Sequence, residues 1–106
     1  MNNAPLTEAF FYILLSLQTP LHGYGIMQNV AKISNGRIKL AAGTLYGALS
    51  NLVERKLIIE LAQVNDTRKR AYVITTEGRR VLNNELNRLR EMVKTGDMVL
   101  GGTKND

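Results

Sequence analysis

Between residues 42 and 56 the apolar positions fall at 45, 48, 49, 52 and 53, the spacing of one buried stripe on a helix. The opposite face, Thr44, Tyr46, Gly47, Ser50, Asn51 and Glu54, is short or polar and mostly uncharged. Such a face suits contact with base edges and phosphates better than it suits bulk solvent. The period then changes. Residues 57–64 are β-branched and apolar, Asn65-Asp66-Thr67 is turn chemistry, Arg68, Lys69 and Arg70 follow, and residues 71–74 return as a second strand. A helix feeding a hairpin with three cations at its tip is the order in which a winged helix grips DNA.

The flanking stretches complete the pattern. Residues 1–5 are polar and end in Pro5, which predicts a short mobile arm; Thr7 is placed to cap a helix over 8–17 with Glu8 at its positive end. That helix is apolar nearly all round, with Phe10, Phe11, Tyr12, Ile13, Leu14, Leu15 and Leu17, more than one small domain covers easily, so part of it is expected to meet a second subunit. Thr19-Pro20 breaks it. A second helix is expected over 23–33, with Tyr24, Ile26, Met27, Val30 and Ile33 as its buried side and Asn35-Gly36 as its end. Arg37-Ile38-Lys39-Leu40 alternates as a short strand would, and could pair with the hairpin.

Thr75-Thr76-Glu77-Gly78 opens a last helix reaching about residue 95. Leu82, Leu86, Leu89 and Val93, spaced four, three and four, form a two-heptad seam with Val81 and Met92 beside it. The seam, with Phe10 and Leu14 of the first helix, is the expected dimer interface. The fold class is therefore α+β, mostly helical: a winged helix-turn-helix over 1–75, a C-terminal dimerisation helix over 76–100 within one compact domain, and a disordered tail over 101–106.

Composition narrows the chemistry. The 106 residues suit one domain, and the absence of cysteine removes disulfides, thiolate metal sites and thiol redox chemistry, making the cytoplasm the default location. The longest apolar stretch, 9–17, is far too short to span a bilayer. The net charge of +5 is concentrated: residues 1–31 and 91–106 each carry −1, which leaves +7 in the centre. A basic centre between nearly neutral ends is the footprint of a nucleic-acid face. His22 is the single histidine, and no Gly-rich phosphate loop, zinc spacing or paired carboxylates stand in the chain, so no enzyme, metal or cofactor is expected; His22 more simply positions the start of the second helix.

Local words now add a resemblance. Leu21-His22-Gly23-Tyr24, Gly43-Thr44-Leu45-Tyr46, Ala48-Leu49, Leu52, Leu57-Ile58 and the run Tyr72-Val73-Ile74-Thr75-Thr76-Glu77-Gly78 stand in the order and spacing of the PadR family of bacterial transcriptional regulators, which the chain resembles over about residues 6–93, in the short form with one C-terminal helix. The sequence departs from that family at Gly47, where proline usually follows the tyrosine, at Gly25, often acidic, and at Lys56, where glycine commonly precedes the leucine. No tryptophan is present, so a tryptophan-sandwich effector pocket is absent.

The resemblance implies a homodimeric DNA-binding repressor, often of transporter or detoxification genes and often responsive to small aromatic compounds. It implies that the Tyr46 hydroxyl meets a phosphate; packing in the corner against the second helix is the other reading. Ser50 and Asn51 are the candidates for base edges, since asparagine pairs bidentately with adenine. Thr44 either caps the third helix or touches a phosphate. Arg68, Lys69 and Arg70 are expected on phosphates or in a minor groove, with Lys39 and Arg37 as further cations. Phe10, Phe11, Ile13, Leu14, Leu89, Met92 and Val93 would line an apolar effector cavity across the twofold axis, dry core packing being the alternative. The partners expected are double-stranded DNA with a roughly palindromic operator, a second copy and a small hydrophobic ligand. Two rivals stand beside this reading: a winged-helix module for protein–protein assembly and an effector-independent DNA-binding protein.

Overall fold

The elements run α1 (Glu8–Ser16), β1 (Leu21–His22), α2 (Gly23–Ile33), α3 (Ala42–Glu54), β2 (Ile58–Leu61), β3 (Ala71–Ile74) and α4 (Thr76–Val99) in a computed structural model that describes residues 6–61 and 70–101. Two helix starts are fixed by threonines. Thr7 Oγ1 accepts the Phe10 N–H at 3.1 Å, and Thr75 Oγ1 accepts the Gly78 N–H at 2.9 Å, with Glu8 and Glu77 in the respective first turns.

Two helix ends share a left-handed turn. At α2, Asn35 and Gly36 have φ of 55° and 82°, and the Gly36 N–H reaches the Ala31 carbonyl at 2.8 Å. At α3 the left-handed residue is Lys56, φ 64°; its N–H donates to the Val53 carbonyl at 2.9 Å and the Leu57 N–H to the Leu52 carbonyl at 3.0 Å, with Leu52 and Leu57 both buried. A lysine thus stands where glycine is conformationally cheapest, which explains why this departure in sequence matters physically.

The antiparallel sheet has the order β1-β3-β2, with Leu21 opposite Tyr72, Ile58 opposite Ile74 and Leu61 opposite Ala71. The outer strand beside β3 is Leu21–His22 and not the alternating segment 37–40. Local bonds decide against the latter: the Ser34 hydroxyl, nearly buried, accepts the Ile38 N–H at 3.0 Å, the Arg37 N–H donates to the Ser34 carbonyl, and the Arg37 guanidinium pairs with Glu8 at 2.8 Å. Those bonds turn the segment away from any ladder.

The core joins Ile13, Leu14 and Leu17 to Ile26, Val30, Leu45, Leu49, Leu52 and Ile58, with Leu82 of α4 closing it. Each contributes about 1.5–3 kcal/mol by burial. Tyr24, Ile33 and Val53, expected inside, are exposed: Tyr24 lies across the helix from Ile26, Val53 sits at the edge of the Leu45–Leu52 stripe, and Ile33, though on the Ile26–Val30 face, is the last residue of α2. The foot of α4 is set tightly against the exit of α3: a β-carbon on Gly78 would lie 2.1 Å from the Leu57 carbonyl oxygen, and Thr75 Oγ1 lies 2.8 and 3.0 Å from the carbonyls of Lys56 and Leu57. From there α4 runs on to Val99, four residues past its expected end, about 36 Å of helix at 1.5 Å per residue.

Candidate nucleic-acid interface

Burial of Leu45, Ala48, Leu49 and Leu52 turns the rest of α3 outward, so Thr44, Tyr46, Gly47, Ser50, Asn51 and Glu54 are all exposed on one face. Thr44 does not cap the helix. The N-cap position is Ala41, without a side-chain bond, and the first intrahelical bond is from Leu45 N–H to the Ala41 carbonyl at 2.9 Å. The amides of Ala42, Gly43 and Thr44 therefore have no partner within the helix. α2 begins the same way after His22, without a side-chain cap and without an acid in its first turn. Where α1 and α4 carry a threonine cap and a glutamate, the starts of α2 and α3 carry neither.

Tyr46 joins those two starts. Its ring lies across Gly23, with a β-carbon there falling 2.2 Å from the phenol oxygen, while the residue stays 47% exposed. A concavity of about 370 Å³ opens beside it, lined by Leu21, His22, Gly23, Tyr24, Gly25, Tyr46 and Arg70. Gly23 and Tyr24 did not stand out as site residues in the sequence. Tyr24 lies two residues before buried Ile26, about 200° round the helix, and strict periodicity puts it outside; it is 70% exposed. The absence of a capping residue or acid before Ala42 was also readable.

Arg70 enters β3 from the wing, exposed, its Nε 3.4 Å from Glu60 Oε2 on β2. Tyr72, one step inward on the same face, is buried; burial raises its phenol above the ordinary range and Glu60 adds to this. Arg68 and Lys69 lie outside the described residues. Lys39 is exposed in the loop before α3, whereas Arg37 is engaged by Glu8. Among the described residues no cluster of potential metal ligands occurs, and no helix is long and apolar enough to cross a membrane.

The family model for the transcriptional regulator PadR-like family matches residues 13–84. The chain belongs to that family. Among solved structures it is similar to a PadR family transcription regulator of Clostridium difficile, with a TM-score of 0.73 and 21% identity over 89% of this chain and 99% of that one. It is also similar to BpsR of Bordetella bronchiseptica, a protein whose DNA binding is regulated by 6-hydroxynicotinic acid, with a TM-score of 0.70 and 20% identity over 92% of this chain and 69% of that one. A curated relative, an uncharacterized 37.1 kDa protein in a transposon of Streptomyces fradiae, is 38% identical over 66 residues, 62% of this chain but 18% of that protein. The chain thus spans under a fifth of the curated relative it matches.

A second surface of this PadR-like regulator lies along α4. Leu82 is buried in the chain's own core, Leu86 and Leu89 are half-buried, and Met92 and Val93 are exposed, the latter at 63%. Leu14 and Ile13, expected at a subunit interface or effector cavity, are wholly buried between α1 and the other helices, so that expectation is corrected; Phe10 and Phe11 remain half-buried at the edge. An open apolar groove of about 520 Å³ follows Leu86, Leu89, Arg90, Val93, Lys94 and Asp97. A cavity of about 310 Å³ lies where α1 meets α4, walled by Leu6, Phe11, Tyr12, Glu85, Arg88 and Leu89 among others. Glu85 is buried there and held by Arg88 through two bonds, Nε to Oε1 at 3.1 Å and a shorter one to Oε2. Arg88 keeps the Glu85 carboxyl below the usual carboxylate range in spite of burial.

Proposed function

We propose that this PadR-like regulator is a cytoplasmic, homodimeric repressor that occupies a roughly palindromic operator. The observation that carries the reading is the concavity where the uncapped start of α2, the exposed Tyr46 of α3 and Arg70 come together, beside a mostly uncharged α3 face whose own helix start is also uncapped. In this reading Ser50 and Asn51 meet base edges in the major groove. Thr44, Tyr46 and the amides at the starts of α2 and α3 hold phosphates, and the wing with Arg68, Lys69 and Arg70 reaches backbone or minor groove. Lys39 adds charge at the margin. The apolar tip of α4, with Leu86, Leu89 and Val93, joins two copies, and Phe10 extends that joint.

Release of the operator follows from a planar hydrophobic or aromatic effector bound where α1 meets α4, against Phe10, Phe11, Leu89, Met92 and Val93. Phe11 and Leu89 already line a cavity of about 310 Å³ there. The regulation of BpsR by an aromatic acid supports this part of the reading by analogy alone.

The test is fluorescence anisotropy with the DNA upstream of the protein's own gene and with scrambled DNA. Tight, salt-sensitive binding confined to a fragment with an inverted repeat is expected. Dimers without salt-sensitive DNA affinity would move the assignment to protein–protein assembly, and operator binding insensitive to every hydrophobic ligand would make it effector-independent.

A further inference from the structure

The distal half of α4 carries a pattern that specifies how a second copy lies against it, a conclusion that rests on the dimeric reading above. The stripe that begins with Leu82 in the chain's own core runs on beyond it as Leu86, Leu89, Val93 and Gly96, of which Leu86, Leu89 and Val93 line the open groove with Lys94 and with Arg90 and Asp97, two turns apart, on one edge. Around Gly96 a β-carbon would meet nothing within 4 Å, and a glycine in an exposed helix costs up to about 1 kcal/mol relative to alanine. Arg90 bonds to Asn87 but, among the described residues, neither Arg90 nor Asp97 forms an ion pair.

Parallel packing places Gly96 against Gly96, leaving a void, and sets Arg90 beside the partner's Glu85, which is already buried on its own Arg88. Antiparallel packing has three registers that close the apolar layers. One sets Leu86 opposite the partner's Leu89, but it calls on Leu82, which is committed to its own core, and brings Arg90 near Arg90. Another sets Val93 opposite the partner's Gly96 and brings Asp97 near Asp97. We propose the third: two α4 helices pack antiparallel with Leu89 opposite the partner's Val93 and Leu86 filling the space over the partner's Gly96. Flank side chains lean toward the N-terminus of their own helix, and in this register Arg90 reaches the partner's Asp97, twice by symmetry. Large meets small, and opposite charges meet.

Charge reversal and its rescue test this, read by sedimentation equilibrium of the full chain. Arg90→Asp and Asp97→Arg, both at exposed positions, should each raise the dimer dissociation constant about tenfold, and the double variant should return it to within about threefold of the original. A double variant as weak as the singles, in a chain that otherwise dimerises, overturns the register and leaves the dimer standing. An unmodified chain that is monomeric at micromolar concentration overturns both. Because the chain has no cysteine, Leu89→Cys and Val93→Cys proteins can also be mixed and oxidised. Crosslinks between the two kinds of chain, exceeding those in either alone, are expected; their absence overturns the register.

Discussion

The phenol oxygen of Tyr46 occupies the space where a side chain on Gly23 would begin: a β-carbon there would lie 2.2 Å from that oxygen and 2.7 Å from the ring carbon bearing it. Helix α3 is thus seated on α2 at a point where only hydrogen fits. The tyrosine that faces outward owes its position to the glycine that opens α2.

Gly23→Ala should leave the fold intact, since the obstructing atoms end a rotatable side chain, and should swing Tyr46 away from the concavity. DNA affinity is expected to fall about 3–10-fold, the worth of one or so hydrogen bonds. Combined with Tyr46→Phe, the loss should be no greater than the larger single loss. Full additivity in anisotropy titrations would mean that the two positions act independently.

Two other glycines should respond in opposite directions. At Gly47 nothing lies within 4 Å of an added β-carbon, so Gly47→Ala should stabilise the helix by up to about 1 kcal/mol. At Gly78 the atom in the way is the Leu57 carbonyl oxygen, which cannot rotate aside, and Gly78→Ala should cost about 3 kcal/mol or more. Urea unfolding of both variants checks the contrast; equal effects would contradict it.

Lys56 holds a left-handed conformation at the end of α3. Lys56→Gly should stabilise by about 0.5–1 kcal/mol, raising the melting temperature by roughly 2–8 °C for a domain of this size. Lys56→Val, β-branched at the same φ, should lower it. A glycine variant that melts no higher would show that the lysine side chain compensates elsewhere.

The buried Glu85 carboxylate links stability to pH. Arg88 depresses its folded pKa, with the Leu6 backbone helping, so its contribution is complete above the ordinary carboxylate range and is lost as pH falls through the depressed value. Glu85→Gln should cost about 1–3 kcal/mol near neutrality, and that gap from the unmodified protein should close progressively below about pH 5. Urea midpoints across the acid range measure it; a gap constant with pH would remove the charge from the explanation.

Arg68, Lys69 and Arg70 replaced together by alanine should weaken binding to all DNA alike and flatten the log–log salt dependence by about 0.9 per lost phosphate contact. Asn51→Ala should instead cost about 1–3 kcal/mol on the operator and little on scrambled DNA. An unchanged salt slope would take the wing off the DNA, and equal losses on both DNAs would confine Asn51 to the backbone.

Caps and stripes were legible in the sequence because they are local. Thr7 and Thr75 cap what they precede, Asn35-Gly36 ends α2, and the Leu45–Leu52 stripe fixes which side of α3 faces out. The outer strand was not legible, because 37–40 and 21–22 compete for one sheet edge and the bond from the Ile38 N–H to the Ser34 hydroxyl settles it. Nor could a helix that is apolar all round say which side meets its own chain. α1 lies between α2 and α4, and this takes Ile13 and Leu14 inside and leaves Phe10 and Phe11 at the margin. The mostly uncharged α3 face was readable; the seating of Tyr46 on Gly23 depends on a close approach between helices that periodicity does not record.

The hydroxyl of Thr75, bound at once to the exit of α3 and the first turn of α4, works as a mitred corner. With Gly78 leaving no gap there, the head and the long rod share one rigid angle, and no slack segment separates them among the described residues. In a dimer joined at the far ends of two such rods, the distance between the DNA-facing surfaces is then a matter of lever geometry: a small tilt at the tip becomes a displacement at the head, with no loop needing to refold.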